Sequence, residues 1–191
     1  MRPIDVQRTK QCGFTLMEVL VAMVVFSIGL LGIATLQMTG MKQTHNSHIR
    51  SVAVAQAEAM ADRMRANKKA VDDGDYNVGA AGAPLASMPD DTDIATDCEL
   101  SQCTAAEMAI YDLVQWNDPT DHFTGVGLDD ALPAGSGMVC IDSTPDDGDS
   151  TDWQCDYSGD VYAIKVQWTE RGLDENEADT ETKRFVMRVR P

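Results

Sequence analysis

Basic residues are scarce in this sequence: 15 Lys and Arg stand against 31 Asp and Glu, a formal net charge of -16. A soluble part this acidic repels phosphate backbones, which argues against nucleic acid as its partner. Catalytic signatures are missing as well. No G-x-S-x-G elbow, H-E-x-x-H pair, Walker loop or dinucleotide fingerprint occurs, so nothing argues for an enzyme or for a bound cofactor. Histidine is down to three residues. His45 and His48 stand three apart on a helical stretch, but no Cys or second acidic ligand near them completes a metal set, and His122 is isolated.

Charge is absent altogether from Val19 to Met41, a run of 23 residues whose heart reads VLVAMVVFSIGLLGIATL. About 20 apolar residues suffice to cross a bilayer core. Ahead of the run, Arg2, Arg8 and Lys10 outweigh Asp5, and positive flanks stay on the cytoplasmic side. A basic head, an apolar segment and an acidic body describe an anchored protein with an exported domain. The residues alone leave a second reading open, a cleaved secretory signal, although no clean A-x-A site follows the run and the helical pattern continues past it. A lipoprotein signal would place its Cys after the apolar run, whereas Cys12 precedes it. The length of 191 residues allows one modest domain with an extension.

The most specific signal is Gly13-Phe14-Thr15-Leu16-Met17-Glu18, followed at once by the apolar run. It resembles the processing site of type IV prepilins and of type II secretion pseudopilins. In that family a dedicated peptidase cuts after the Gly and N-methylates the new terminal residue. The resemblance implies cleavage between Gly13 and Phe14, N-methylation of Phe14, and Glu18 as fifth residue of the mature chain. A carboxylate at the mouth of an apolar segment is costly unless it finds a partner. Cleavage would create a cationic amine on Phe14 one helical turn away, and the family arrangement pairs such a Glu with the amine of a neighbouring subunit. Glu18 also lies in the first turn, where the helix dipole favours negative charge.

Apolar spacing continues beyond the segment through Ile49, Val52, Ala53, Gln56, Met60 and Met64, in an Ala-rich stretch without proline. One helix from about Phe14 to about Asn67 would be roughly 80 Å long, and the Lys and Asp pairs within Asn67–Gly74 are expected to end it. Gly29, Gly32 and Gly40 inside it mark bending points or close helix contacts. Residues 72–97 show no periodicity and read as a surface loop. Thr104-Ala105-Ala106-Glu107 is a capping box opening a helix to about Asn117, with Ala106, Ile110, Leu113 and Asn117 on one side and Ala109, Leu113 and Trp116 beside it. Strands are expected at Met138–Asp142, Val161–Thr169 and Thr182–Arg190, the second and third showing alternation along the chain. A long helix on a small antiparallel sheet is the α+β arrangement these elements favour, and the resemblance implies the same.

Five cysteines are an odd number for an exported protein until Cys12 falls in the leader. The remaining Cys98, Cys103, Cys140 and Cys155 form an even set with three possible connectivities. Cys98–Cys103 with Cys140–Cys155 is favoured, because each pair closes a local loop. Metal binding is the rival use, but the spacings are not C-x-x-C and no His sits among them, so no metal is expected. The Asp-rich stretch 142–156 could hold calcium, yet it lacks the Glu that ends an EF-hand loop, and a solvated acidic hairpin loop is the plainer reading.

The resemblance implies three parts: a cleaved leader 1–13, a transmembrane and filament-core half-helix 14–41, and a periplasmic head 42–191 that includes the rest of the helix. It implies a minor pilin of type IVa pili, resident in the inner membrane by a single pass and then in the pilus. The implied partners are prepilin peptidase, the major pilin and other minor pilins, a PilY-type tip adhesin, the inner-membrane assembly platform and membrane lipid. A type II secretion pseudopilin shares the N-terminal physics. A single-pass receptor with a sensing head is the alternative of another class.

Overall fold

A computed structural model describes residues 13–79, 85, 87–117, 127–149, 151–172 and 180–190. The expected leader before Gly13, with Cys12, and His122 lie outside them. Contacts divide the chain into a unit ending at Lys42 and a unit from Gln43 onward.

Helix α1 runs Leu16–Ala66. It starts two residues later than the periodicity suggests because Thr15 is its cap: the Glu18 N–H donates to Thr15 Oγ1 at 3.3 Å. Between Ile49 and Met64 the helix buries Ile49, Ala53, Ala57, Met60, Ala61 and Met64 on one stripe of three- and four-residue steps. After Ala66 the chain pauses at Asn67 and resumes as α2 (Lys68–Asp73). The paired charges expected to end the helix instead build this turn, since Lys68–Asp72 and Lys69–Asp73 are i,i+4 ion pairs. Gly74, at a left-handed φ of 85°, closes it with the Gly74 and Asp75 N–H groups returning to Val71 and Ala70.

Three strands form an antiparallel sheet in the order β1 (Ser136–Ile141), β2 (Tyr162–Arg171), β3 (Thr180–Val189). Pairing places Val139 opposite Ile164 and Ile164 opposite Met187. The inner face of β2, Tyr162, Ile164, Val166 and Trp168, joins the buried stripe of α1 in one core. Long helix and small antiparallel sheet make the molecule α+β.

Helix α3 (Ala105–Asn117) carries the full capping box, with the Glu107 N–H on Thr104 Oγ1 and the Thr104 N–H on Glu107 Oε2. Its buried side is Ala109, Asp112, Leu113 and Trp116, with Tyr111 and Val114 flanking, rather than a face centred on Ala106 and Ile110. Trp116 sets that rotation: its ring is buried and its Nε1–H donates to the Gln56 carbonyl of α1 at 2.9 Å. Gly137 lets the ring lie flat on β1, because a Cβ there would come within 2.4 Å of it.

One expectation fails in the connections. The stretch 72–97 is not simply a surface loop, since Tyr76 and Val78 are fully buried and Leu85 nearly so. The Val78 N–H bonds the Val139 carbonyl and Asn77 Oδ1 accepts from the Ile141 N–H, so the segment covers the outer edge of β1. A short helix α4 (Leu128–Ala131) and the Leu132 that caps it add buried Leu128 and Leu132 to the core.

Candidate functional site

The N-terminal segment is built on a helix whose surface stays exposed among the described residues. From Gly13 to Met41 every residue is exposed, and Phe14 and Leu16 are 82% and 88% accessible. An 18-residue window of α1 with mean hydropathy 2.6 is long and apolar enough to cross a membrane. Its hydroxyls do not contradict that environment. Ser27, Thr35 and Thr39 each donate to the carbonyl four residues earlier, so their polarity is satisfied within the helix.

Phe14, Glu18, Val19, Ala22, Met23 and Phe26 lie along one side and form a shallow apolar groove with a single carboxylate at its rim. Glu18 occupies the first turn of α1, where its charge meets the helix dipole favourably. Thr15 is the functional neighbour that the sequence reading missed. The T-x-x-E spacing of Thr15 and Glu18 was the available signal, the same pattern recognised at Thr104 and Glu107. Gly29, Gly32 and Gly40 have nothing within 4 Å of a Cβ position, so no contact among the described residues requires their smallness.

The second polar constellation lies on the outer face of the sheet. Cys140, in β1, is bonded to Cys155, with Cα atoms 6.2 Å apart, and Asp142, Asp147 and Trp153 of the acidic loop come to lie over Lys165 of β2. The other bridge, Cys98–Cys103, closes a small turn before α3. Beneath the first loop lies Lys165, fully buried. Its ammonium is 2.6 Å from Asp142 Oδ2 and 3.5 Å from Asp147 Oδ1, and it donates to the Trp153 carbonyl at 2.5 Å. Arg184 stacks on the Trp153 ring at 5.1 Å and donates to the Asp147 carbonyl, while Arg188 pairs with Asp146.

Most of the Asp-rich stretch is exposed, as Asp146, Asp149, Asp152 and Asp156 are, but Asp142 and Asp147 turn in toward one lysine. A cationic ammonium already occupies the position between Asp142 and Asp147 that a calcium ion would need. Among the described residues, Cys140, Asp142 and Cys155 are the one grouping close enough to share an ion. Oxidised to each other, these cysteines offer no thiolate. His45 and His48 are both exposed and belong to no such grouping.

Two further buried carboxylates join elements of the head. Glu170 of β2 takes a two-pronged contact from Arg50 of α1, at 2.8 and 2.9 Å, and a bond from Trp168 Nε1. The Arg50 hydrogen bonds hold its carboxyl below the ordinary value, against the opposing effect of burial. Asp112 of α3 accepts from the Tyr76 hydroxyl at 2.5 Å, with Arg63 of α1 at 3.8 Å. There burial dominates and pushes the carboxyl up.

Comparison with known proteins finds two matches. Residues 8–34 match the prokaryotic N-terminal methylation motif. Residues 35–114 match the Tt1218-like family, described as type IV pilin Tt1218. Neither a curated protein nor a solved structure matches the chain. The methylation motif spans Gly13, Phe14, Glu18 and the start of the apolar run, and the pilin match takes up the same helix and continues into α3. By motif and by the sequence that follows it, residues 8–114 of the chain are similar to type IV pilins.

Proposed function

We propose that the chain is a minor type IV pilin of the PilV type, acting in the initiation of pilus assembly and as a structural component at or near the tip. The observation that carries the reading is the juxtaposition of Gly13-Phe14 and Glu18 with a helix of 51 residues whose first part is apolar on every side. The stretch GFTLMEVLVAMVVFSIGLLGIATLQ and a Trp near the end of the helix that follows the first Cys pair favour the PilV type.

Prepilin peptidase removes residues 1–13 and methylates the Phe14 amine. The mature helix waits in the inner membrane with its head on the periplasmic side. On assembly, Glu18 meets the terminal amine of a neighbouring pilin, and the exposed apolar surface from Leu16 to Met41 exchanges lipid for other helices. The pairing gives register because an unpaired carboxylate in that environment is costly. Other minor pilins, the major pilin, a PilY-type adhesin and the assembly platform are the partners this role requires.

The test is to shear surface pili, digest them and search by mass spectrometry for a peptide beginning at N-methylated Phe14, with the membrane fraction in parallel. Its presence in pili is the expected result. Its confinement to the membrane fraction would favour a secretion pseudopilin or an initiator left at the base. An unmethylated chain retaining its leader in both fractions would overturn the reading in favour of an anchored receptor.

A further inference from the structure

The contact between Lys165 and Asp142 has the makings of a covalent bond. Both side chains are fully buried, and the nitrogen stands 2.6 Å from Oδ2. That approach lacks hydrogen-bonding geometry, so Oδ2 is a buried oxygen with no hydrogen-bond partner. An ion pair at this depth normally repays its desolvation through well-directed hydrogen bonds. Here the rest of the arrangement is well directed. Oδ1 of the same carboxyl accepts from the Thr144 N–H at 3.0 Å, which polarises the carbonyl and fixes its plane. The Trp153 carbonyl holds Lys165 Nζ from another side at 2.5 Å. Asp147 Oδ1, partly open to solvent, stands 3.5 Å from the same nitrogen.

We propose that Lys165 and Asp142 form an intramolecular isopeptide bond, tying the residue after β1 to β2. One proton passes from the ammonium to the carboxylate, giving a neutral amine and a neutral acid. Shedding both charges offsets the burial penalty on the pair. Nζ then attacks Cγ of Asp142, and the developing oxyanion on Oδ1 is met by the Thr144 N–H. Asp147 takes a proton from the attacking nitrogen and returns it to Oδ2, which leaves as water. The C–N bond forms, the C–Oδ2 bond breaks, and no oxidant or activating cofactor enters. The Cys140–Cys155 bridge holds the carboxyl beside the amine, supplying the proximity that a condensation in water lacks.

The experiment is intact mass spectrometry of the full chain extracted from membranes, followed by digestion after Lys and Arg. The expected mass is lighter by one water than the disulfide-bonded chain, with a branched peptide joining Asp142 to Lys165 and no cleavage after Lys165. A chain of unreduced mass, cleaved normally after Lys165, would overturn the proposal. Asp147→Asn leaves both reacting groups and both disulfides in place, so it separates the relay from the fold. Bond formation in that variant is expected to slow by about 10²-fold or more. If it cross-links as fast as the parent, Asp147 is not the relay, whereas a slow but eventually complete loss of water supports both parts.

Discussion

Up to Met41 every described residue of α1 is exposed, whereas from Ile49 to Met64 the same helix turns six residues into a packed core. The backbone is helical throughout, so the contrast comes from side chains alone. The first part is apolar on all sides and has no preferred face, which suits lipid or a bundle of other helices. The later part confines its apolar residues to a stripe and meets a sheet. Stability within the second region is a property of this chain, while that of the first depends on what surrounds it.

Removing the carboxylate from the first region sharpens the contrast most. Glu18→Ala, as the sole copy, should leave the head's thermal unfolding unchanged and processing at Gly13 intact. Its recovery in sheared pili should fall on the order of 10²-fold or more, since stranding a buried partner charge costs about 3–5 kcal/mol. Normal recovery would break the assigned role of Glu18. In the second region, Trp116→Ala removes a buried ring and its bond to the Gln56 carbonyl. It should cost the head about 3–5 kcal/mol in denaturant unfolding without affecting leader removal. Replacing Cys140 and Cys155 together by Ser should cost about 3 kcal/mol for a loop of this length.

Acid titration tests a finer contrast inside the head. Glu170 has its carboxyl held low by Arg50, so its contribution is present above the ordinary value of 4.5 and is lost as pH falls through the depressed one. Asp112, raised by burial, acts oppositely: stability is lost as pH rises from the ordinary 3.8 toward its raised value, and acidification restores it. Glu170→Gln should flatten the acid limb of the stability profile, and Asp112→Asn should steepen it. Equal slopes in all three proteins would show that neither carboxylate governs the limb. The smallest effect belongs to Leu30→Ala, at a position of α1 that is about half exposed and outside the buried core. It should shift the head's unfolding by less than about 0.5 kcal/mol.

How legible the sequence was follows the same divide. The apolar run and the Gly13–Glu18 motif are contiguous, so their physics can be read without knowing what lies nearby. The strands of the sheet were legible through alternation, because a face buried on one side leaves a period of two. That argument misjudged the other face of β2. Lys165 looks like a solvent-facing residue by period, and only the loop drawn over it by Cys140–Cys155 buries it. Tyr76 and Val78 were hidden for a related reason. They serve the core and the edge of β1 from irregular chain, and an irregular segment has no period to betray what it buries.

By itself the sequence determined an apolar helix with a carboxylate at its mouth, a striped continuation and three short strands, two of them alternating. Each follows from local chemistry repeated at a fixed interval. Only the tertiary structure decided that the acidic loop closes around Lys165, that Trp116 sets the rotation of α3 against Gln56, and that Arg50 reaches Glu170. Those contacts join residues 18 to 120 positions apart. No local interval specifies such a pairing; it exists only once packing has brought the elements together.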